Sequence, residues 1–405
     1  MLNTTHEIFY QNSNDMADIP SGCIDLIVTS PPYPMIEMWD DIFSSQDSAI
    51  MDALKRHKGK DAFELMHKIL DSVWDDSFRV LKNGGFICIN IGDATRTIND
   101  SFTLYPNHAR ILQYLRKIGF TCLPDILWRK QTNAPNKFMG SGMLPAGAYV
   151  TLEHEYILIA RKGDKREFKN ITEKINRRES AFFWEERNIF FSDIWFDIKG
   201  TRQKQTKSKS RKRSGAFPFE IAHRLINMYS VKGDVVLDPF MGTGTTMAAA
   251  MAAARNSFGF EIDTRLKTGI DRIKDDIVDF SNSVIHNRLT RHINFVKERA
   301  ELKKTIKHTN EYYGFPVITN QEKKLLFNDL LNVKQMGGNI VQVSYSEEPR
   351  EQFCLDLGKI IQSDPMGEIS EEKVSKKEKT LKQTKQGEYQ QLELFCKKDF
   401  TKGKT

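Results

Sequence analysis

Ser30, Pro31, Pro32 and Tyr33 stand together at the end of the apolar run Ile24-Asp25-Leu26-Ile27-Val28-Thr29, and their types suit one kind of chemistry. Proline has no N–H, so two in succession stop a strand and leave backbone carbonyls unpaired. Beside those carbonyls are the small hydroxyl of Ser30 and the flat ring of Tyr33. Such a group fits a planar base carrying an amino group: acceptors take its N–H bonds while the ring stacks on its face. The run before it, rich in β-branched residues, reads as a buried strand, and open α/β sheets bind ligands outside the carboxyl ends of such strands.

A second constellation follows some two hundred residues later, in Val235-Val236-Leu237-Asp238-Pro239-Phe240-Met241-Gly242-Thr243-Gly244-Thr245-Thr246. An apolar strand ends in an acid and enters a glycine turn, and an Ala/Met-rich helix, Met247 to Ala254, comes next. The strand Ser257-Phe258-Gly259-Phe260 then delivers Glu261, 23 positions after Asp238. Glycines let the backbone approach a ligand, and an acid at about this distance holds ribose hydroxyls. A dinucleotide site wants a third glycine where Met247 stands, and a P-loop wants a Gly-Lys-Ser/Thr that this loop lacks. The pattern suits ribose and adenine without pyrophosphate, as in S-adenosylmethionine (SAM).

With both constellations, the chain resembles the DNA amino-methyltransferases of the permuted β group, N4-cytosine type, found in bacterial restriction-modification systems. In that group the catalytic Ser/Asp-Pro-Pro-Tyr precedes the cofactor motif Asp-Pro-Phe-x-Gly-x-Gly. The resemblance covers about residues 1–265 and includes Asn12 before Ile19-Pro20, the element Val80 to Ile87, Leu127 to Lys130, Glu153 to Leu158, and Phe217-Pro218 opening a helix. It implies an α/β, Rossmann-like SAM-dependent methyltransferase with a mostly parallel seven-stranded sheet and a target-recognition insert. It also implies that Asn12, Phe217, Pro218, Asp238, Pro239, Phe240, Gly242, Thr243, Gly244, Thr245 and Glu261 hold SAM, and that Ser30, Pro31, Pro32 and Tyr33 hold the base. Ser at the first catalytic position accompanies cytosine N4 methylation in the family; adenine N6 is the alternative, and a non-catalytic DNA-binding adaptor is a more distant one.

These motifs need strands to carry them. Strands are expected at about 6–10, 24–29, 86–91, 120–128, 155–161, 235–238 and 257–262, and helices at about 61–82, 107–118, 217–230, 245–255 and 266–304. Their alternation argues for a mostly parallel sheet covered on both faces. Phe63, Met66, Leu70, Val73 and Trp74 recur at helical spacing and read as core. The long linker from Met35 to Lys60 reads as a lid over a flipped base, and 131–150 as a second mobile element at the DNA face. The organisation expected is a catalytic half at 1–165, a recognition insert with a basic loop at 166–213, a cofactor half at 214–304, an extension at 305–362 and a disordered tail at 363–405.

Charge marks the partners. The chain has 60 Lys and Arg against 53 Asp and Glu, a net +7. Arg202, Lys204, Lys207, Lys209, Arg211, Lys212 and Arg213 form one basic stretch without an acid, suited to following the phosphate backbone of double-stranded DNA. Arg177, Arg178 and Arg187 are offered as readers of guanine edges, and Arg288, Arg291, His292 and Lys297 as more of the positive surface. In the tail, Gln391, Leu392, Leu394 and Phe395 look like the peptide by which bacterial proteins dock on the DNA polymerase sliding clamp. Five scattered cysteines argue against a disulfide frame, no His/Cys cluster has metal-ligand spacing, and a cytoplasmic, nucleoid-associated enzyme paired with a restriction endonuclease is expected.

Overall fold

The computed structural model describes residues 2–130, 139–200 and 217–362. Its main sheet has eleven strands: β1 (Asn3–Phe9), β2 (Ile24–Thr29), β3 (Leu81–Ile91), β4 (Phe120–Cys122), β5 (Ile126–Arg129), β6 (His154–Lys162), β7 (Ile194–Trp195), β8 (Val235–Asp238), β9 (Asn256–Phe260), β10 (Leu330–Gly337) and β11 (Ile340–Tyr345). They lie in the order β7-β5-β6-β3-β2-β8-β9-β1-β11-β10, with β4 also on β6. The five central strands, β3 to β1, run parallel. β6 runs antiparallel to β3, and β11 antiparallel to β1.

All seven expected strands are present, the fourth split into β4 and β5. Beyond that split, the sheet exceeds the seven strands expected because β7 adds to one side and the hairpin β10–β11 extends it beyond β1. Its outer strand is mostly exposed, so its periodicity is weak in the sequence. The long helix expected at 266–304 is interrupted, as Lys267–Asp271 and Ile273–Glu301.

β2 shows why the sheet forms as it does. All six of its residues are buried, as a parallel strand covered on both faces requires. Leu26 and Val28 join a core with the helices Phe219–Tyr229 and Thr245–Ala252. Ile27 joins a second core on the other face, with the helix Gly59–Val80 and its Phe63, Met66, Leu70 and Trp74. A third core unites Phe183 of the insert with Ile285, Leu289 and Ile293 of Ile273–Glu301 and with Tyr313, Phe315 and Leu325 from the extension. Insert and extension therefore fold as one body.

The segment read as a lid is folded: a 3₁₀ turn at Glu37–Trp39, then helices Asp40–Gln46 and Ser48–Lys55, with Phe43 and Ile50 in the second core. Asp40 clamps it to the rest through both guanidinium nitrogens of Arg96, at 2.9 and 2.8 Å. Among the described residues no helix is long and apolar enough to cross a membrane.

Candidate active site at the carboxyl edge of the parallel strands

β2, β8, β9 and β1 all end at one edge, so their following loops meet there. Thr29, the last residue of β2, donates its hydroxyl to Asp238 Oδ1 at 2.6 Å, and the amide of Phe240 donates to the same oxygen at 3.0 Å. Burial lifts the Asp238 carboxyl to about 6. The turn that follows needs its glycines. Gly242 and Gly244 have φ of +55° and +83°, the left-handed region that glycine enters without cost. A side chain on Gly244 would also meet Ile273 Cδ1 at 2.6 Å. Thr245 then opens its helix, and Thr246 donates to the carbonyl of Val28 at 3.2 Å, tying the helix to β2.

Glu261 stands just beyond β9, its amide donating to the carbonyl of Phe9 at 2.9 Å. Its carboxylate accepts from the amides of Gly242 and Asp263, both at 2.7 Å, and burial raises it to about 7. Asn12 follows β1 at the same edge; its amide donates to Gln46 Oε1 at 2.8 Å. Phe217 is buried in the first core, and Pro218 caps the helix Phe219–Tyr229 that packs on β2 and on Thr245–Ala252. Tyr10 was not anticipated: its buried hydroxyl finds no hydrogen-bond partner among the described residues, and Glu261 and Asp271 lie near enough to help burial raise it to about 12. A buried acid lifted towards neutrality, a glycine turn and an unmatched hydroxyl on one edge fit a ligand with hydroxyls and a ring.

The other half of the site is built around Tyr33. Its hydroxyl donates to Glu155 Oε2 at 2.9 Å and lies 3.3 Å from Ser30 Oγ. Asn90, near the end of β3, donates Nδ2 to Tyr33 Oη at 2.9 Å and to Glu155 Oε2 at 2.7 Å. Lys130 holds the other Glu155 oxygen at 2.8 Å. Burial, and then the charge of Glu155, raise the Tyr33 hydroxyl well above its ordinary range. Pro31 is buried and Pro32 half-buried, and Met35 just beyond takes φ +68° while packed at 1% exposure. In the sequence, Lys130 and Glu155 fall within segments that carry the resemblance but have no role of their own there, and nothing singles out Asn90. The only signal was position: Glu155 opens β6 and Lys130 follows β5, both at this edge.

The first part of the insert lies elsewhere. Arg166 pairs with Asp234 at 2.6 Å and lies 3.5 Å from Asp25, at the starting ends of β8 and β2. Arg177, Arg178 and Arg187 line a groove of about 1110 Å³ there, with Arg177 stacked on Phe168 at 4.6 Å and Arg187 on Phe191 at 5.4 Å. The six residues of β2 separate that edge from Ser30, about 20 Å of strand, so these arginines do not share the face of Tyr33. Arg288 and His292 are not on a charged surface: they are 4% and 0% exposed, held by Glu186 and Glu185 of the insert.

The chain leaves the described residues at Gly200, packed against Lys130, and re-enters them at Phe217. Arg202, Lys204, Lys207, Lys209, Arg211, Lys212 and Arg213 lie between, outside the described residues. So does the tail with Gln391, Leu392, Leu394 and Phe395. Of the 131–150 element, Met139–Gly140 and Ala148–Tyr149 form a small hairpin, and Tyr149 stacks on Phe102 at 4.6 Å.

Fold and site together define an α/β enzyme of the SAM-dependent methyltransferase class. A family model described as DNA methylase matches residues 24–272, and the chain belongs to that N4/N6 family of DNA methyltransferases, whose cofactor is SAM. It is 48% identical over 347 residues to the type II methyltransferase M.MthZI of Methanothermobacter thermautotrophicus, covering 85% of this chain and 96% of the relative. To the type II methyltransferase M.MjaI of Methanocaldococcus jannaschii it is 48% identical, over 67% of this chain and 91% of the relative. Among solved structures, a DNA modification methylase of Thermus thermophilus, complexed with S-adenosyl-L-methionine, superposes with a TM-score of 0.52. It shares 30% identity, over 68% of this chain and 93% of that one.

Proposed function

We propose that the protein methylates the exocyclic N4 amino group of a flipped cytosine within a specific DNA sequence, as the modification enzyme of a type II restriction-modification system. The observation that carries this reading is the juxtaposition of Ser30 and Tyr33 with the Asp238–Glu261 loop at one edge of the sheet. The names of the two relatives support the restriction-modification role, and Ser30 in place of an acid supports cytosine. The cofactor supplies a methyl group on a positively charged sulfur. Asn12, Phe217, Pro218, Asp238, Pro239, Phe240, Gly242, Thr243, Gly244, Thr245 and Glu261 hold it, with Glu261 on the ribose hydroxyls.

The amino lone pair of cytosine is delocalised into the ring, so the nitrogen is a poor nucleophile. Ser30 Oγ and the Pro31 carbonyl accept its two N–H bonds, which favours a pyramidal nitrogen and localises the lone pair. The stabilisation grows as positive charge develops, so it acts on the transition state more than on the bound base. Tyr33 stacks on the base, Pro32 fixes the turn, and the pocket requires the base to leave the helix. Arg202, Lys204, Lys207, Lys209, Arg211, Lys212 and Arg213 follow the phosphate backbone.

Incubating the protein with plasmid DNA and methyl-labelled SAM, then digesting to nucleosides, tests this directly. N4-methylcytosine is the expected product. N6-methyladenine would keep the enzyme and overturn the base; no transfer would overturn both.

SAM affinity should depend on pH through Glu261. A carboxylate can accept from two ribose hydroxyls, whereas the neutral acid can accept less. With the free protein's Glu261 near 7, affinity is present above that pH and lost below it, by about tenfold for each unit once the group is mostly protonated. Calorimetric titration at pH 8 and pH 6 should show the fall, and Glu261→Gln should flatten it.

A further inference from the structure

Ser30 receives a proton that it cannot keep. Forming the bond from base nitrogen to methyl carbon, with the carbon–sulfur pair remaining on sulfur, leaves the nitrogen positively charged with one proton too many. A serine hydroxyl is no base at neutral pH, but the atoms behind it lead to one. Ser30 Oγ lies 3.3 Å from Tyr33 Oη, and Tyr33 Oη lies 2.9 Å from Glu155 Oε2.

The directions of these bonds follow from one fact: an ionised carboxylate only accepts. Tyr33 must then donate to Glu155, so its oxygen accepts from Asn90 and from Ser30. Ser30 therefore spends its own proton on Tyr33 and keeps lone pairs for an amino N–H. Asn90 and Lys130 fix the far end, at 2.7 and 2.8 Å from the two Glu155 oxygens. The ring has little room to swing, because even a methyl group on Gly92 would meet Tyr33 Cε2 at 3.0 Å.

The geometry points to Glu155 as the terminal acceptor of the proton released by methyl transfer, reached through Ser30 and Tyr33. This rests on the reading above, that an exocyclic amine is methylated here. The amine proton passes to Ser30 Oγ as the Ser30 proton passes to Tyr33 Oη and the Tyr33 proton to Glu155 Oε2. The N–H bonding pair stays on nitrogen as the neutral methylated amine. Both hydroxyls end as they began, and Glu155 ends as the acid, which returns its proton to water beside Lys130, 44% exposed. Tyr33 acts throughout as a hydroxyl, consistent with the burial that disfavours its anion.

Wild-type transfer of label to DNA comes first: without it the amine reading itself falls. With it, Glu155→Gln should lower kcat by roughly a hundredfold, leave the KM for DNA and the calorimetric affinity for SAM within about threefold, and remove the acid limb of the pH–kcat profile. Tyr33→Phe should remove the limb too, and Glu155→Asp, which keeps a carboxylate, should retain it. The charged and titratable groups around Glu155 are Lys130, Tyr33, the neighbouring His154 and Tyr156, the Arg129–Glu153 pair and the Asp93–His108 pair, whose imidazole stacks on Tyr156. His108→Gln and His154→Gln serve as controls and should keep the limb. A Glu155→Gln enzyme with kcat within threefold of wild type, or a slowed one whose limb is unmoved, overturns the relay. So does a limb lost with either histidine.

Discussion

Replacing Ser30 by alanine lowers kcat for methyl transfer by roughly a hundredfold to a thousandfold, while SAM affinity stays within about twofold. Ser30 is partly buried just beyond β2, and among the described residues its hydroxyl bonds within the Tyr33–Asn90 cluster, so its removal leaves the cofactor loop untouched. Glu261, Asp238 and the turn at Gly242 are held by backbone amides and by Thr29, none of which depends on Ser30. Single-turnover transfer from labelled SAM, beside calorimetry of SAM binding, separates the two effects. A loss of less than tenfold would mean that the Pro31 carbonyl alone activates the amine, and the role given to Ser30 would be wrong.

The second large effect concerns stability. Arg288→Met should cost about 3–5 kcal/mol, read as a lower midpoint of urea unfolding. The guanidinium bonds both Glu186 oxygens, at 2.6 and 2.8 Å, and lies over Phe327 at 4.4 Å. With the arginine gone, Glu186 keeps, among the described residues, the Phe183 amide at 3.0 Å and is left as a largely buried charge, 13% exposed, without its counter-ion. The double variant Arg288→Met/Glu186→Met should recover much of the loss, since it removes both charges from the third core. If the double variant is no more stable than the single one, packing over Phe327 rather than charge is what Arg288 contributes.

How much of this was readable in the chain depended on how local each signal was. Ser30 to Tyr33 and Asp238 to Gly244 are contiguous and bounded by strands, so type and spacing alone placed them at one edge. Glu261 followed because a fixed crossover joins β8 to β9. Asn90 and Glu155 lie in β3 and β6 and Lys130 directly follows β5, three strands whose neighbours are set by sheet order rather than by sequence distance. Nothing local marks a strand's terminal acid as facing a tyrosine 122 positions away.

The two ends of the insert lie at opposite edges for a related reason. Its arginines and aromatics have the composition of a DNA-reading element, but β6 runs antiparallel to β3 and delivers the chain to the opposite edge before β7 brings it back. Arg288 and His292 looked like a charged helix face because their partners, Glu186 and Glu185, sit over a hundred positions earlier. The mostly exposed strand β10 left little alternation to read, and the hairpin that widens the sheet went unforeseen.

The placement of β1 sets the order in which the protein can be completed. Its two neighbours are β9, about 250 positions later, and β11, with Asn3 opposite Ser344. At a synthesis rate of roughly 5–20 residues per second, the first strand to emerge waits about 15 s to a minute for both sides of its slot to exist. Until then its amides and carbonyls, and the alternating buried residues Thr4, His6 and Ile8, have no permanent partner. The carboxyl edge, where the chain after β1 brings Tyr10 near Glu261, is therefore among the last parts assembled. A nascent chain that stops short of β9 lacks the strand beside β1 and the Glu261 that follows it, and holds no finished cofactor site.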